Sequence, residues 1–171
     1  ILGLAIRHKP NAARVVPIVL AAAGILVIQV APTETADPEK GLIAIEQSAY
    51  GEIRVVDLDE TRCMIIDGGT HTIVDTATWD SRFAYVNVLD IAKGFFDRPG
   101  EMLLMGLGGG SVVKSFKRDG WRVDAVEIDP VVTKMARTHF GLRPDEAVIY
   151  EMDARQFLIT HDKTYDLIVM D

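Results

Sequence analysis

A chain of 171 residues, 49% apolar and 25% charged, can bury a core, which excludes intrinsic disorder. Its net charge of −7 is unevenly spread: residues 1–31 carry Arg7, Lys9 and Arg14, and all 25 acids lie beyond them. An acidic body argues against nucleic acid, whose binding requires Lys and Arg on phosphates, and suits a cationic substrate. The single Cys63 rules out an internal disulfide, and four scattered histidines give no reason to expect a metal.

The chain starts at Ile1 and stops at Asp171, directly after the apolar run Leu167–Met170, so a piece of a longer protein is expected. The uncharged run Val15–Ala31, behind a basic flank, would span about 26 Å as a helix, close to the ~30 Å hydrocarbon core. Residues 1–31 therefore read as a transmembrane segment with a basic flank, making the protein membrane-associated; a buried core helix or a signal-peptide h-region is the alternative for the run, and cytoplasmic the alternative localisation. The positive-inside rule sends the body outward, whereas a nucleoside cofactor expects the cytoplasm. Residues 32–41 are a polar linker.

Short β-branched runs follow at Leu42–Ile45, Glu52–Val56, Arg62–Ile66 and His71–Val74, with the turns DLDET and DGGT between the later ones. They predict a small antiparallel β-hairpin domain over residues 42–78. Asp80 then stands where it could cap a helix carrying Tyr85, Leu89, Ala92 and Phe96 on one face, ended by Pro99-Gly100.

From residue 101 strands and helices alternate, which implies a parallel sheet and an α/β, Rossmann-like fold over 79–171, cut after its fourth strand. Met102–Met105 runs into the glycine loop Gly106, Leu107, Gly108, Gly109, Gly110, Ser111. Val123–Ile128 ends at Glu127, Ala147–Met152 ends at Asp153 ahead of Ala154, and Leu167–Met170 ends at Asp171. Helices are expected at Val112–Arg118, Val131–Phe140 and Ala154–His161, the second capped by Asp129 with Pro130 behind it. Ligands of such sheets sit outside the carboxyl ends of the strands. Ser111 replaces the third glycine of the dinucleotide fingerprint GxGxxG, which lowers NAD and FAD. Glu127, 21 residues after Gly106, stands where an acid accepts from a ribose diol. Asp153 could accept from an adenine amino group or merely cap a helix.

Taken together these strand ends resemble the adenosine site of the class I S-adenosylmethionine-dependent methyltransferase fold. The words EQSAYGEIRV (46–55), IDGG (66–69), GLGGGS, VEIDP, DAR and YDLIVMD stand in the order seen in spermidine synthases, the polyamine aminopropyltransferases, and the resemblance covers residues 46–171. The apolar head looks like the subgroup in which membrane helices precede such a domain. The resemblance implies decarboxylated S-adenosylmethionine as co-substrate, methylthioadenosine as product, a polyamine such as putrescine as acceptor, and no metal. Gly106, Gly108, Gly109, Gly110, Glu127, Asp153 and Ala154 would bind the nucleoside. Tyr50, Asp80 and Tyr85 would face the polyamine, Asp171 would take the proton of the attacking amine, and self-association would run through the hairpin domain.

Two positions depart from the family: Gly109 stands where its loop carries an Asp for the donor's ammonium, and Gly51 where a Gln follows the Tyr. Restoring Asp at 109 is expected to strengthen an aminopropyl donor. An aminopropyltransferase, an S-adenosylmethionine-dependent methyltransferase and a non-catalytic adenosyl-binding domain of a membrane protein stay open, since fold alone does not choose among them.

Overall fold

The computed structural model describes residues 35–171. The apolar run Val15–Ala31 lies outside them; among the described residues no helix is long and apolar enough to cross a membrane.

Four strands, β1 (Leu42–Gln47), β2 (Glu52–Leu58), β3 (Thr61–Ile66) and β4 (Gly69–Asp75), pair antiparallel in sequence order. The turn from β3 to β4 has only Asp67 and Gly68 between the strands, with φ of 47° and 81°. Positive φ at both positions is what a tight hairpin matching the strand twist demands, and Asp-Gly supplies it cheaply. One face buries Ile53, Val55, Met64 and Val74. At the end of β4 the Asp75 carboxylate accepts from the Ala77 and Thr78 amides at 2.9 Å and from the Arg82 guanidinium at 2.5 Å. That fan of donors, Arg82 foremost, holds its pKa down to about 2.

Helix α1 (Ala84–Asp90) starts four residues after the expected cap and passes into a 3₁₀ turn, Ile91–Phe95. Asp80 does not cap it. The turn organised by Asp75 keeps the chain irregular through Arg82, and the Asp80 carboxylate instead meets Arg118 at 2.7 Å.

The second sheet contains β5 (Glu101–Met105), β6 (Arg122–Glu127), β7 (Val148–Glu151) and β8 (Leu167–Met170), all parallel, in the order β7-β6-β5-β8. Helices α2 (Ser111–Arg118), α3 (Pro130–His139) and α4 (Ala154–Thr160) connect them. Strand β5 is covered on both faces: Met102 and Leu104 pack with Val113, Phe116 and Trp121, while Leu103 and Met105 pack with Val126 and Phe157. Burial on both sides is why its sequence is continuously apolar and shows no alternation. Ile168 and Met170 of β8 stay exposed.

The two sheets meet across α3. Val132, Met135 and the fully buried Phe140 share one core with Ile53, Val55, Met64 and Val74. Polar ties reinforce it, with Arg62 Nη1 donating to the His139 carbonyl at 2.9 Å and Lys134 paired with Glu46.

Because Phe140 fills the seam between both layers, Phe140→Ala is expected to cost about 3–5 kcal/mol, the range for removing a buried aromatic. Urea unfolding measures it; a loss below about 1 kcal/mol would show that the seam does not hold the layers together.

Candidate active site

Where β5 ends, the chain must turn without a side chain. Gly106 has φ 95°, and a Cβ there would stand 2.8 Å from the Asp171 carbonyl oxygen at the end of β8. Its amide donates to the Val126 carbonyl of β6 at 2.9 Å. The loop is therefore pinned at the carboxyl ends of β5, β6 and β8, the edge on which ligands of open α/β sheets bind.

Glu127, buried at the end of β6, holds that loop. Its Oε2 accepts from the Leu107 amide at 3.0 Å and its Oε1 from the Asp129 amide at 2.9 Å. A carboxylate oxygen accepts two bonds, so each still has an acceptor site for a hydroxyl pair. Asp129 in turn caps α3 by accepting from the Val131 amide.

A cavity of about 270 Å³ opens here, lined by Tyr50, His71, the Gly106–Gly108 segment, Glu127, Ile128 and Asp171. At its edge the Tyr85 hydroxyl donates to Asp171 Oδ2 at 3.0 Å. Burial and the neighbouring Asp171 charge push the Tyr85 pKa well above its ordinary value, so Tyr85 stays a neutral donor and Asp171 an acceptor. Leu107, Ile128 and Val132 supply apolar wall for a flat base. Among the described residues three larger cavities, about 520, 490 and 330 Å³, lie elsewhere, and none touches the glycine loop or Glu127.

The structure thus brings Tyr50, Tyr85, Gly106, Gly108, Glu127 and Asp171 to one place. Asp153 and Ala154 sit at the end of β7 outside the cavity lining, where Asp153 Oδ1 caps α4 through the Arg155 and Gln156 amides. Asp80 lies in a different cavity with Arg118, whose hydrogen bond lowers its pKa. Sequence reasoning missed His71 and Ile128. His71 arrives from β4, 35 residues before the loop, and its one signal is its place just after the DGG turn. Among the described residues no group of three or more His, Cys, Asp or Glu could hold a metal.

At both Gly109 and Gly51 a Cβ would crowd a neighbouring side chain. The Gly109 amide donates to Thr72 Oγ1 at 2.8 Å, and a Cβ at 109 would meet Thr72 Cγ2 at 2.6 Å and Phe140 at 3.1 Å. Thr72 thus crowds the space that an aspartate side chain at 109 would need. At Gly51 a Cβ would come within 2.6 Å of the Asp67 carboxylate, whose Oδ1 accepts from the Glu52 amide.

No family model matches the chain. It is 30% identical over 142 residues to the polyamine aminopropyltransferase of Vibrio vulnificus (strain CMCP6), across 76% of this chain. The chain spans about half, 48%, of that relative's length. Among solved structures, a probable spermidine synthase from Corynebacterium glutamicum matches with TM-score 0.67 at 18% identity, over 81% of this chain and 52% of that one. The spermidine synthase of Thermotoga maritima matches with TM-score 0.65 at 21% identity, over 76% and 46%. A spermidine synthase complexed with the transition-state analogue AdoDATO gives 0.64 at 21%, over 75% and 45%. These structures show the shared fold, and the curated relative supports the spermidine synthase family.

Two substitutions test the loop. Glu127→Gln places an NH₂ against one of two backbone N–H groups, so methylthioadenosine should bind about 1–3 kcal/mol more weakly by calorimetry. Unchanged affinity would remove Glu127 from the site. Gly109→Asp should destabilise by about 1–3 kcal/mol through overpacking, with partial recovery when Thr72→Ala is added. An unaltered thermal midpoint in Gly109→Asp would mean the loop yields freely.

Proposed function

We propose that this chain carries the active site of a spermidine-synthase-type aminopropyltransferase, moving an aminopropyl group from decarboxylated S-adenosylmethionine to a polyamine such as putrescine. The observation that carries it is Asp171, held by the Tyr85 hydroxyl at the rim of a cavity floored by the glycine loop and Glu127. Glu127 takes the ribose hydroxyls, Leu107, Ile128 and Val132 take the faces of the adenine, and Asp153, which lies beyond the cavity lining and caps α4 through Oδ1, offers its Oδ2 to the amino group.

The acceptor amine must lose a proton before its nitrogen has a lone pair to give. Asp171 accepts that proton; the lone pair attacks the methylene beside the sulfonium, the carbon–sulfur bond breaks, and its electrons neutralise the sulfur as methylthioadenosine leaves. Tyr85, kept protonated, fixes one oxygen of Asp171 and leaves the other for the amine. Tyr50 lines the acceptor side of the same cavity. Membrane attachment through residues 15–31 and self-association through the hairpin sheet rest on the sequence alone.

One observation favours a second reading, an S-adenosylmethionine-dependent methyltransferase: Thr72 occupies the space of a donor-binding aspartate at 109.

In the complete protein, Asp171→Asn should leave methylthioadenosine binding intact and slow aminopropyl transfer to putrescine by roughly 10²–10⁴-fold. Undiminished transfer would take the proton-accepting role from Asp171. Methyl transfer from ordinary S-adenosylmethionine, with no aminopropyl transfer, would establish the second reading.

A further inference from the structure

We propose that the cavity between Trp79, α2 and the loop after α3 binds a phosphate-type oxyanion, free or as a phosphomonoester, at a site separate from the candidate active site. The cavity, about 490 Å³, collects Lys114, Lys117, Arg118 and Arg143 in a chain whose overall charge is −7. Its two carboxylates are already engaged. Asp80 meets Arg118 at 2.7 Å, and Glu146 takes both the Arg143 guanidinium at 3.1 Å and the Arg143 amide at 2.8 Å. Lys114 and Lys117 form no ion pair among the described residues, although the Glu146 and Asp80 charges act on Lys114 at longer range.

Lys114 is the unusual member. It is only 8% exposed, and its ammonium donates to the Phe140 carbonyl at 2.7 Å with no other hydrogen bond or ion pair among the described residues. An ammonium has three donors, so two are left for a ligand. Burial pushes its pKa down to about 8 against the opposing pull of the Glu146 and Asp80 charges, and a further anion at its side would raise it again.

The rival explanation is that cations simply favour a helix C-terminus. It accounts for Lys117 and Arg118 in the last turn of α2. It does not account for a buried lysine a turn earlier, or for Arg143 arriving from another element. The wall is built as well: Trp79 has φ 63°, a conformation an aromatic residue adopts only when its surroundings compel it. Its ring lies where a Cβ on Gly141 would approach within 3.0 Å, and it faces the Lys114 ammonium at 5.8 Å. A flat aromatic wall beside ammonium groups that form no ion pair among the described residues suits a phosphate carried on a small organic body.

The test titrates the complete protein with inorganic phosphate and with phenyl phosphate, following tryptophan fluorescence and calorimetry. Saturable binding at one site is expected, with phenyl phosphate tighter because Trp79 contacts its ring. Lys117→Glu, a surface change, should raise both Kd values at least tenfold and leave the thermal midpoint and methylthioadenosine affinity unchanged. Lys114→Met should abolish binding if the variant folds. Absence of saturable binding by either probe, or an unaltered Kd in Lys117→Glu, overturns the proposal. Since methylthioadenosine binding is read separately, failure here is distinct from failure of the aminopropyltransferase reading.

Discussion

A buried carboxylate that accepts two backbone amides, Glu127 between Leu107 and Asp129, sets the geometry on which the rest of the site depends. Charge-assisted bonds of this kind are stronger than neutral ones and are costly to break when buried. Through Leu107 the carboxylate fixes the glycine loop leaving β5. Through Asp129 it fixes the start of α3, which that residue also caps. One side chain therefore ties the ends of two strands to the beginning of a helix, and any ligand held there meets a crevice already shaped.

Helix α3 carries that constraint to the antiparallel sheet. Its apolar face and Phe140 share a core with β2, β3 and β4, so the hairpins are seated against the parallel layer. Thr72 of β4 consequently reaches the Gly109 amide, and His71 reaches the cavity. The small sheet thus serves as one wall of the site and decides which side chains the glycine loop tolerates. A glycine at 109 and a threonine at 72 are one solution to a single steric problem.

The charges divide between two places. At the candidate active site the Asp171 carboxylate lines the cavity, and the Tyr85 phenol at its edge donates to it. Beside α2, ammonium and guanidinium groups gather with Trp79, an arrangement suited to an anion. Asp80 belongs to the second place because Arg118 holds it there. A carboxylate read from sequence as polyamine-facing thus serves as the counter-ion of an arginine.

The strands and helices of the carboxy half could be read from sequence because local rules govern them. An apolar run buried on both faces, Pro130 behind a capping Asp129, and positive-φ glycines after a strand each carry their cause within a few residues. The Asp-Gly hairpin of the small sheet is legible for the same reason. The strand–helix alternation by itself also puts the glycine loop, Glu127 and Asp171 on one edge of the sheet. Tertiary structure decided what no short window contains: that α1 starts at Ala84 because Asp75 gathers donors from the following turn, that Tyr85 meets Asp171 across 86 residues, and that Thr72 excludes a side chain at 109. Those outcomes come from contacts between distant segments, and such contacts exist only once α3 has brought the two sheets together.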